Sequence, residues 1–202
     1  MKLLLVILFS YLLGSIPFSH IFARLKGKDV RAAGTKNVGA TNALVVAGPL
    51  IGALALMGDV LKGCCAVGLA RYFSMPDIGI ALAALAVVAG HDFSIFLGFK
   101  GGKGVAATGG VLFALDPVFA ILVIFLWILC MVVIRYFIPS TILVLCFLPV
   151  MMWMASWRAE YVFFGAANAL LAVYTHRNDL KRYFAGQELT IQESLKRYRG
   201  SR

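Results

Sequence analysis

Three polar segments of this 202-residue chain carry residue types that can hold a phosphate group. The first, residues 29–42, combines glycines with threonine, lysine and asparagine. Glycine lets the backbone turn its N–H groups toward an anion, and the polar side chains add hydrogen-bond donors. We therefore expect an anion-binding loop, although an ordinary loop with a helix cap is the alternative. The candidate ligand residues are Gly34, Thr35, Lys36, Asn37, Gly39, Thr41 and Asn42.

The second segment, residues 90–108, places two lysines among glycines just before an apolar run. It is not a Walker nucleotide loop, because Leu97 stands where the first glycine belongs and Gly104 where Ser or Thr should hold magnesium. What remains is a flexible, amide-rich turn with a lysine at the start of a helix, which suits phosphate. Its candidate residues are His91, Gly101, Gly102, Lys103 and Gly104.

The third segment follows the last apolar run of the chain and contains His176, Arg177, Asp179 and Arg182. Of the side chains in this segment, His176 is the one that can exchange a proton near neutral pH. A basic stop after a membrane helix is an equally good interpretation of the two arginines.

The elements that must position these segments are unusually apolar. Hydrophobic residues make up 61% of the chain and charged residues only 14%, whereas soluble domains have about 25% charged residues. A soluble protein of this composition would expose large apolar patches. The composition also excludes a disordered chain and a disulfide scaffold. The net charge of +10 is spread over short loops, which indicates cytoplasmic loops or an anionic ligand rather than a nucleic-acid partner.

The apolar runs predict an all-α integral membrane protein with seven transmembrane helices, some of them short. With the N-terminus outside and the C-terminus cytoplasmic, most of the basic residues fall on the inner face. The three polar segments then share that face as partly embedded loops around one site. We expect one membrane domain over residues 1–176 and a basic cytoplasmic tail over 177–202. The predicted spans are Leu3–Ala23, Val45–Tyr72, Ile78–Gly90, Val105–Leu115, Val118–Ile134, Ile138–Trp157 and Tyr161–Tyr174.

Ionisable and sulfur-containing side chains inside the spans need separate interpretation. Asp59 and Lys62 lie three residues apart on one helical face, so they either neutralise each other or serve a function. No histidine pair has metal-ligand spacing, and we expect no metal or other cofactor. The four cysteines lie in apolar runs and are expected to be small buried residues: Cys64, Cys65, Cys130 and Cys146.

Taken together, these motifs resemble those of the bacterial acyl-phosphate:glycerol-3-phosphate acyltransferases, the PlsY family. The resemblance covers nearly the whole chain in the right order. Asp59 with Lys62 and Gly63 also matches the family. The three motifs are found here as Gly14–Pro17 with Asp29–Arg31 and Gly34–Asn42, as Gly90–Phe93 with Gly101–Ala106, and as His176–Arg177 with Arg182.

The resemblance implies a seven-helix enzyme of the bacterial inner membrane with its active site on the cytoplasmic side. Such an enzyme moves a fatty acyl group from acyl-phosphate to the 1-hydroxyl of sn-glycerol 3-phosphate, giving lysophosphatidic acid and phosphate. It implies direct transfer without an acyl-enzyme, and a functional link to the enzyme that forms acyl-phosphate. Lys103 and the glycine amides would stabilise negative charge, and Thr35 would add a donor. His176 would orient or deprotonate the hydroxyl, unless the departing phosphate takes that proton.

Three residues depart from the family pattern. Ser94 stands where proline is usual, Val45 where many members carry arginine, and Asp179 where asparagine is usual. The last two bear on the acceptor phosphate, so a related acyltransferase with a different acceptor stays open. A lipid-phosphate transporter would also explain the spans and the anion site, whereas a non-catalytic membrane scaffold would explain the composition alone.

Overall fold

The computed structural model describes residues 1–193, and within them the chain is helical without β-strands. The all-α prediction is confirmed for this range. Four basic residues assigned to the tail lie outside the described residues: Lys196, Arg197, Arg199 and Arg202. The helices are α1 Lys2–Ser15, α2 Phe18–Leu25, α3 Ala40–Ala47, α4 Pro49–Tyr72, α5 Asp77–Asp92, α6 Val105–Leu115, α7 Pro117–Ile134, α8 Phe137–Met154, α9 Ala159–Thr175 and α10 Arg177–Phe184, with a 3₁₀ turn at Ile95–Leu97.

The chain forms two compact units, Met1–Pro117 and Val118–Arg202. In the first unit α1 packs along α5, and α4 packs against α6, α3, α5 and α2. In the second unit α8 packs against α9, and α10 contacts both. The division into a membrane domain over 1–176 and a tail from 177 stays a prediction.

Five helical segments within residues 1–193 are long and apolar enough to cross a membrane. The apolar helix α6 has 11 residues and α9 has 17, so both fall short of the 18 residues that the five segments reach. The segment at α7 is apolar on all sides, with a mean hydropathy of 3.1, as expected for a helix that faces lipid. The five are Lys2–Leu25, Pro49–Tyr72, Asp77–Leu97, Pro117–Ile134 and Phe137–Met154.

The first two predicted spans are each divided in the structure. Leu3–Ala23 is two helices, because Pro17 has no N–H to continue the hydrogen-bond ladder. Val45–Tyr72 is divided at Gly48, whose φ of +96° ends α3 before α4 begins. Val45 therefore lies on the short helix α3 and not on α4, which is long and apolar enough to cross a membrane.

Glycines allow the helices of the first unit to approach one another closely. The Cα of Gly14 lies against the backbone of Val87, and that of Gly90 against the backbone of Tyr11. Gly110 packs in the same way against the carbonyl of Val60. Small residues at such contacts are typical of membrane helix pairs, where close backbone packing replaces the hydrophobic effect.

The expected burial of the cysteines is wrong. Cys65 and Cys146 are exposed, whereas Cys64 and Cys130 are half-buried, and all four are free thiols. The reason is that these helices turn apolar residues outward as well as inward, so an apolar run does not distinguish a core position from an outward-facing one.

Candidate active site

Asn42, at the start of α3, holds the loop of the first segment in place through side-chain hydrogen bonds. Its side-chain oxygen accepts the N–H of Thr35 at 2.8 Å, and its amide nitrogen donates to the carbonyls of Val30 at 2.7 Å and Asn37 at 2.9 Å. Asn42 is only 1% exposed. Because these bonds engage both ends of the amide, we assign Asn42 to positioning the loop rather than to touching a substrate.

The other candidate residues of the first segment differ in how far they are exposed to solvent. Thr35, Lys36 and Thr41 are exposed, and Asn37 and Gly39 are partly buried. Gly34 has a φ of +62°, and its Cα faces the Asn42 amide so closely that a side chain would not fit. Lys36 also has a left-handed φ, +61°, which is uncommon outside glycine. Gly34 and Asn42 therefore shape a loop on which Thr35 and Lys36 are exposed, and Thr41 is exposed on the first turn of α3.

Asp29, at the start of the same loop, is surrounded by basic residues. Its carboxylate lies 2.7 Å from Arg24 and accepts the backbone N–H of Arg31 at 2.9 Å. That backbone hydrogen bond, together with the guanidinium groups of Arg31 and Arg24, lowers the pKa of Asp29. Asp29 is thus charged at neutral pH and ties the two arginines to the loop.

The glycine loop of the second segment folds back on the end of α5. Gly101 donates its N–H to the carbonyl of Asp92, and Gly102 to that of His91, both at 2.9 Å. A Cβ on Gly102 would meet the His91 ring and lie 2.6 Å from the Val38 carbonyl oxygen. Gly102 is therefore one of the points at which the first and second segments touch; Leu97, which packs against the cluster containing Val38, is another.

A buried ion pair of Asp59 and Lys62 lies beside His91. The Asp59 carboxylate is 2.9 Å from the Lys62 ammonium and 3.3 Å from His91 Nδ1. Lys62 also donates to the carbonyls of Gly14 and Ile16, at 2.9 and 3.3 Å. Asp59 and Lys62 are each 2% exposed, so the pair neutralises itself and holds other groups in place.

Asp92 lies within the second motif, Gly90–Phe93, but is absent from the candidate residues predicted from the sequence. It is 4% exposed, and neither carboxylate oxygen has a hydrogen-bond partner within residues 1–193. The carboxyl group lies against Gly104, which has a φ of +70° and directly precedes α6. The charges of Lys62 and half-buried Lys103 act on it. Its position next to His91 in the second motif is the only signal that could have found it.

The third segment lies in the second compact unit, around the junction of α9 and α10. His176 is 1% exposed, and its Nδ1 lies 2.8 Å from the carbonyl oxygen of Ala172. A carbonyl only accepts hydrogen bonds, so Nδ1 is the donor in this contact. When the ring is neutral, this arrangement leaves Nε2 as the nitrogen that can accept a proton.

The charged residues of the third segment have partners close by in the chain. Arg182 pairs with the buried carboxylate of Asp179 and lies 3.4 Å from Glu188, which no sequence motif indicated. Arg177 stacks 4.1 Å over the ring of Tyr174 and donates to its carbonyl. The structure brings the first two segments together in one unit, and a site shared with the third segment stays a prediction.

Comparison with known proteins places these features in a family. The family model described as Glycerol-3-phosphate acyltransferase matches residues 4–186. A glycerol-3-phosphate acyltransferase of Burkholderia vietnamiensis is 37% identical, over 97% of this chain and 94% of its own. One of Desulforamulus reducens is also 37% identical, over 93% of this chain and 94% of its own.

Two solved structures are similar along nearly the whole chain. Both are described as PlsY (YgiH), an integral membrane glycerol 3-phosphate acyltransferase. The glycerol 3-phosphate form is 34% identical with a TM-score of 0.89, covering 95% of this chain and 96% of that one. The lysophosphatidic acid form is 32% identical with a TM-score of 0.87, covering 96% and 99%.

Proposed function

The chain belongs to the glycerol-3-phosphate acyltransferase family, and on that premise we propose that it is a membrane acyltransferase that uses acyl-phosphate as donor and glycerol 3-phosphate as acceptor. The observation that carries this proposal is the contact of Gly102 with Val38, which joins two amide-rich loops beside Lys103. Two adjacent donor-rich loops suit a reaction between two phosphorylated substrates.

The reaction transfers the acyl group directly to the acceptor. The 1-hydroxyl oxygen of glycerol 3-phosphate attacks the acyl carbonyl, the bond from carbonyl carbon to phosphate oxygen breaks, and the hydroxyl proton passes to a base or to the departing phosphate. The products are lysophosphatidic acid and inorganic phosphate. Acyl-phosphate is already activated, so the protein contributes chiefly alignment, which can lower a barrier by roughly 7–11 kcal/mol.

We assign some of the candidate residues to the donor and others to the acceptor. Lys103 and the amides of the glycine loop neutralise the donor phosphate and the negative charge that develops during transfer. Thr35, Lys36 and Thr41 bind the acceptor from the exposed face of the first loop. His176 accepts or orients the hydroxyl proton through Nε2, in agreement with its hydrogen bond to Ala172.

We further propose seven transmembrane spans, with the N-terminus outside and the active site at the cytoplasmic face of the bacterial inner membrane. The five long segments are joined by α6 and α9 as shorter spans. The excess of basic residues in loops on one side supports this orientation. The donor would come from an acyl-phosphate-forming enzyme, because acyl-phosphate is the activated substrate that the reaction consumes.

The decisive experiment is an assay of purified protein in lipid nanodiscs with hexadecanoyl-phosphate and radiolabelled glycerol 3-phosphate. We expect lysophosphatidic acid to form without added metal or cofactor. Acyl-CoA offered in place of acyl-phosphate should give no product, and product from acyl-CoA would overturn the donor assignment. Movement of a phospholipid across liposomes without ester formation would instead support a lipid-phosphate transporter.

A further inference from the structure

The residues between α5 and α6 form a loop whose two ends are both held at the C-terminal end of α5. It leaves at Phe93 and returns at Gly101 and Gly102, which are hydrogen-bonded to the last two carbonyls of α5. Between these points the residues from Ile95 to Lys100 form a projecting tip, built on the 3₁₀ turn Ile95–Leu97.

The base of this loop is held by two hydrogen bonds, one partly buried and one buried. The hydroxyl of Tyr11 donates to the carbonyl of Phe93 at 2.6 Å, and that of Ser94 donates to the carbonyl of Ser15 at 2.5 Å. Ser94 is 1% exposed. The departure from proline at Ser94 thus supplies a hydrogen bond that ties the tip to the break between α1 and α2.

The tip turns large apolar side chains outward from this base. Phe96 is 61% exposed, Phe99 59% and Ile95 46%. Phe99 has a φ of +62°, a left-handed conformation that is strained for a bulky residue. Its N–H is nevertheless fixed to the carbonyl of Ser94 at 2.8 Å. Strain that the surrounding structure enforces is found mostly at functional sites.

We infer that Phe96 and Phe99 form the contact surface for the first part of the donor's acyl chain. This inference rests on the proposed function, in which the donor phosphate lies at the glycine loop. Phe99 lies four positions before Lys103, so they are at most about 14 Å apart along the backbone. The carbonyl of acyl-phosphate is bonded to the phosphate group, so the chain begins beside the loop. Phe96 and Phe99 are the exposed apolar surface nearest to the loop in sequence.

The first test compares a long and a short donor on the same variants. With Phe99→Ala, we expect the KM for hexadecanoyl-phosphate to rise about tenfold, because apolar contact is lost. The KM for butanoyl-phosphate should stay within about twofold, since its chain is too short to gain much from that contact. Phe96→Ala should show the same selectivity. Phe99→Gly is the second variant, because glycine adopts the left-handed conformation without strain.

Phe147→Ala is the matched control, since Phe147 is a phenylalanine of α8 with a similar exposure, 56%. It should leave both KM values unchanged. If Phe99→Ala and Phe99→Gly raise both KM values equally, or neither, then the tip only anchors the loop in lipid and the inference is wrong. If the unaltered protein gives no product with either donor, the proposed function fails instead.

A second measurement does not need turnover. A non-hydrolysable acyl phosphonate with a diazirine group two carbons from the carbonyl should crosslink to the peptide containing Phe96 and Phe99, as mapped by mass spectrometry. Excess hexadecanoyl-phosphate should compete for this labelling. Crosslinks confined to peptides of the second unit would overturn the inference whether or not the protein is an acyltransferase.

Discussion

The Lys62 ammonium lies 2.9 Å from the carbonyl oxygen of Gly14, a residue 48 positions earlier in the chain. The break at Pro17 leaves carbonyls of the first span without helical partners, and unpaired carbonyls are costly inside a membrane. Lys62 satisfies those of Gly14 and Ile16, and Ser94 satisfies that of Ser15. The side chain of Lys62, on one span, therefore supplies hydrogen bonds to backbone carbonyls at the break in another span.

Lys62→Met should destabilise the protein strongly. It leaves Asp59 as a buried carboxylate without its ammonium partner, and breaking a buried pair in this way costs about 3–5 kcal/mol. We expect a clear fall in the thermal unfolding midpoint in detergent. Lys28→Met, at an exposed lysine, is the control and should change the midpoint little. Equal midpoints for the two variants would contradict the bracing role of Lys62.

Asn42→Ala should loosen the first loop. The substitution leaves the buried carbonyl of Val30 without its partner, and a buried polar group left unpaired costs about 1–3 kcal/mol. It also removes the partner of the Thr35 N–H and of the Asn37 carbonyl, which are partly buried. We expect faster amide hydrogen exchange over residues 30–37 and at least a tenfold higher KM for glycerol 3-phosphate. Gln187→Ala replaces an exposed amide in the other unit and should alter neither quantity. Unchanged exchange in Asn42→Ala would count against our assignment.

Lys103→Ala should remove most acyltransferase activity while the protein still inserts and folds. Loss of a cation that stabilises developing charge typically costs a factor of about 10²–10³ in kcat. Lys100→Ala changes an exposed lysine three residues earlier and serves as the control. Near-normal turnover in Lys103→Ala, measured as lysophosphatidic acid formed, would show that this lysine does not stabilise the transfer.

Replacement of all four cysteines should leave activity intact. Direct transfer needs no thiol nucleophile, and the outward exposure of Cys65 and Cys146 is consistent with that. The variant carries Ala or Ser at Cys64, Cys65, Cys130 and Cys146. Its kcat should stay within about twofold of the parent's. A trapped radiolabelled acyl-enzyme in the parent, or ping-pong kinetics, would overturn direct transfer.

Val45→Arg combined with Asp179→Asn should lower the KM for glycerol 3-phosphate. Arginine adds a bidentate partner for phosphate on α3, and asparagine releases Arg182 from its ion pair with Asp179. Lys36→Ala should raise the same KM in the parent, because Lys36 is the exposed cation of the first loop. If only the double variant acts on glycerol 3-phosphate, then Lys36 does not compensate and the natural acceptor is a different molecule.

The sequence by itself determined that this is an apolar, all-helical chain and which family it belongs to. An apolar fraction of 61% leaves too few polar residues to cover a soluble domain, so a membrane protein follows from composition. The bounds of α6, Val105–Leu115, agree with the prediction. Gly104, which has a left-handed backbone conformation, directly precedes the apolar run, and Asp116 directly follows it. Motif spacing was specific enough to identify the family, since the order and residue types of three segments match together.

Only the tertiary structure decided which polar residues support the site and which are displayed. Asn42 and Thr41 are neighbours in one motif, yet one is buried beneath the loop and the other is exposed. The contacts of Asp59 with His91 and of Lys62 with Gly14 join residues far apart in sequence, so spacing along the helix could not show them. Periodicity shows that a residue lies on a helix, but in a membrane the inner and outer faces are both apolar, so packing alone assigns the face.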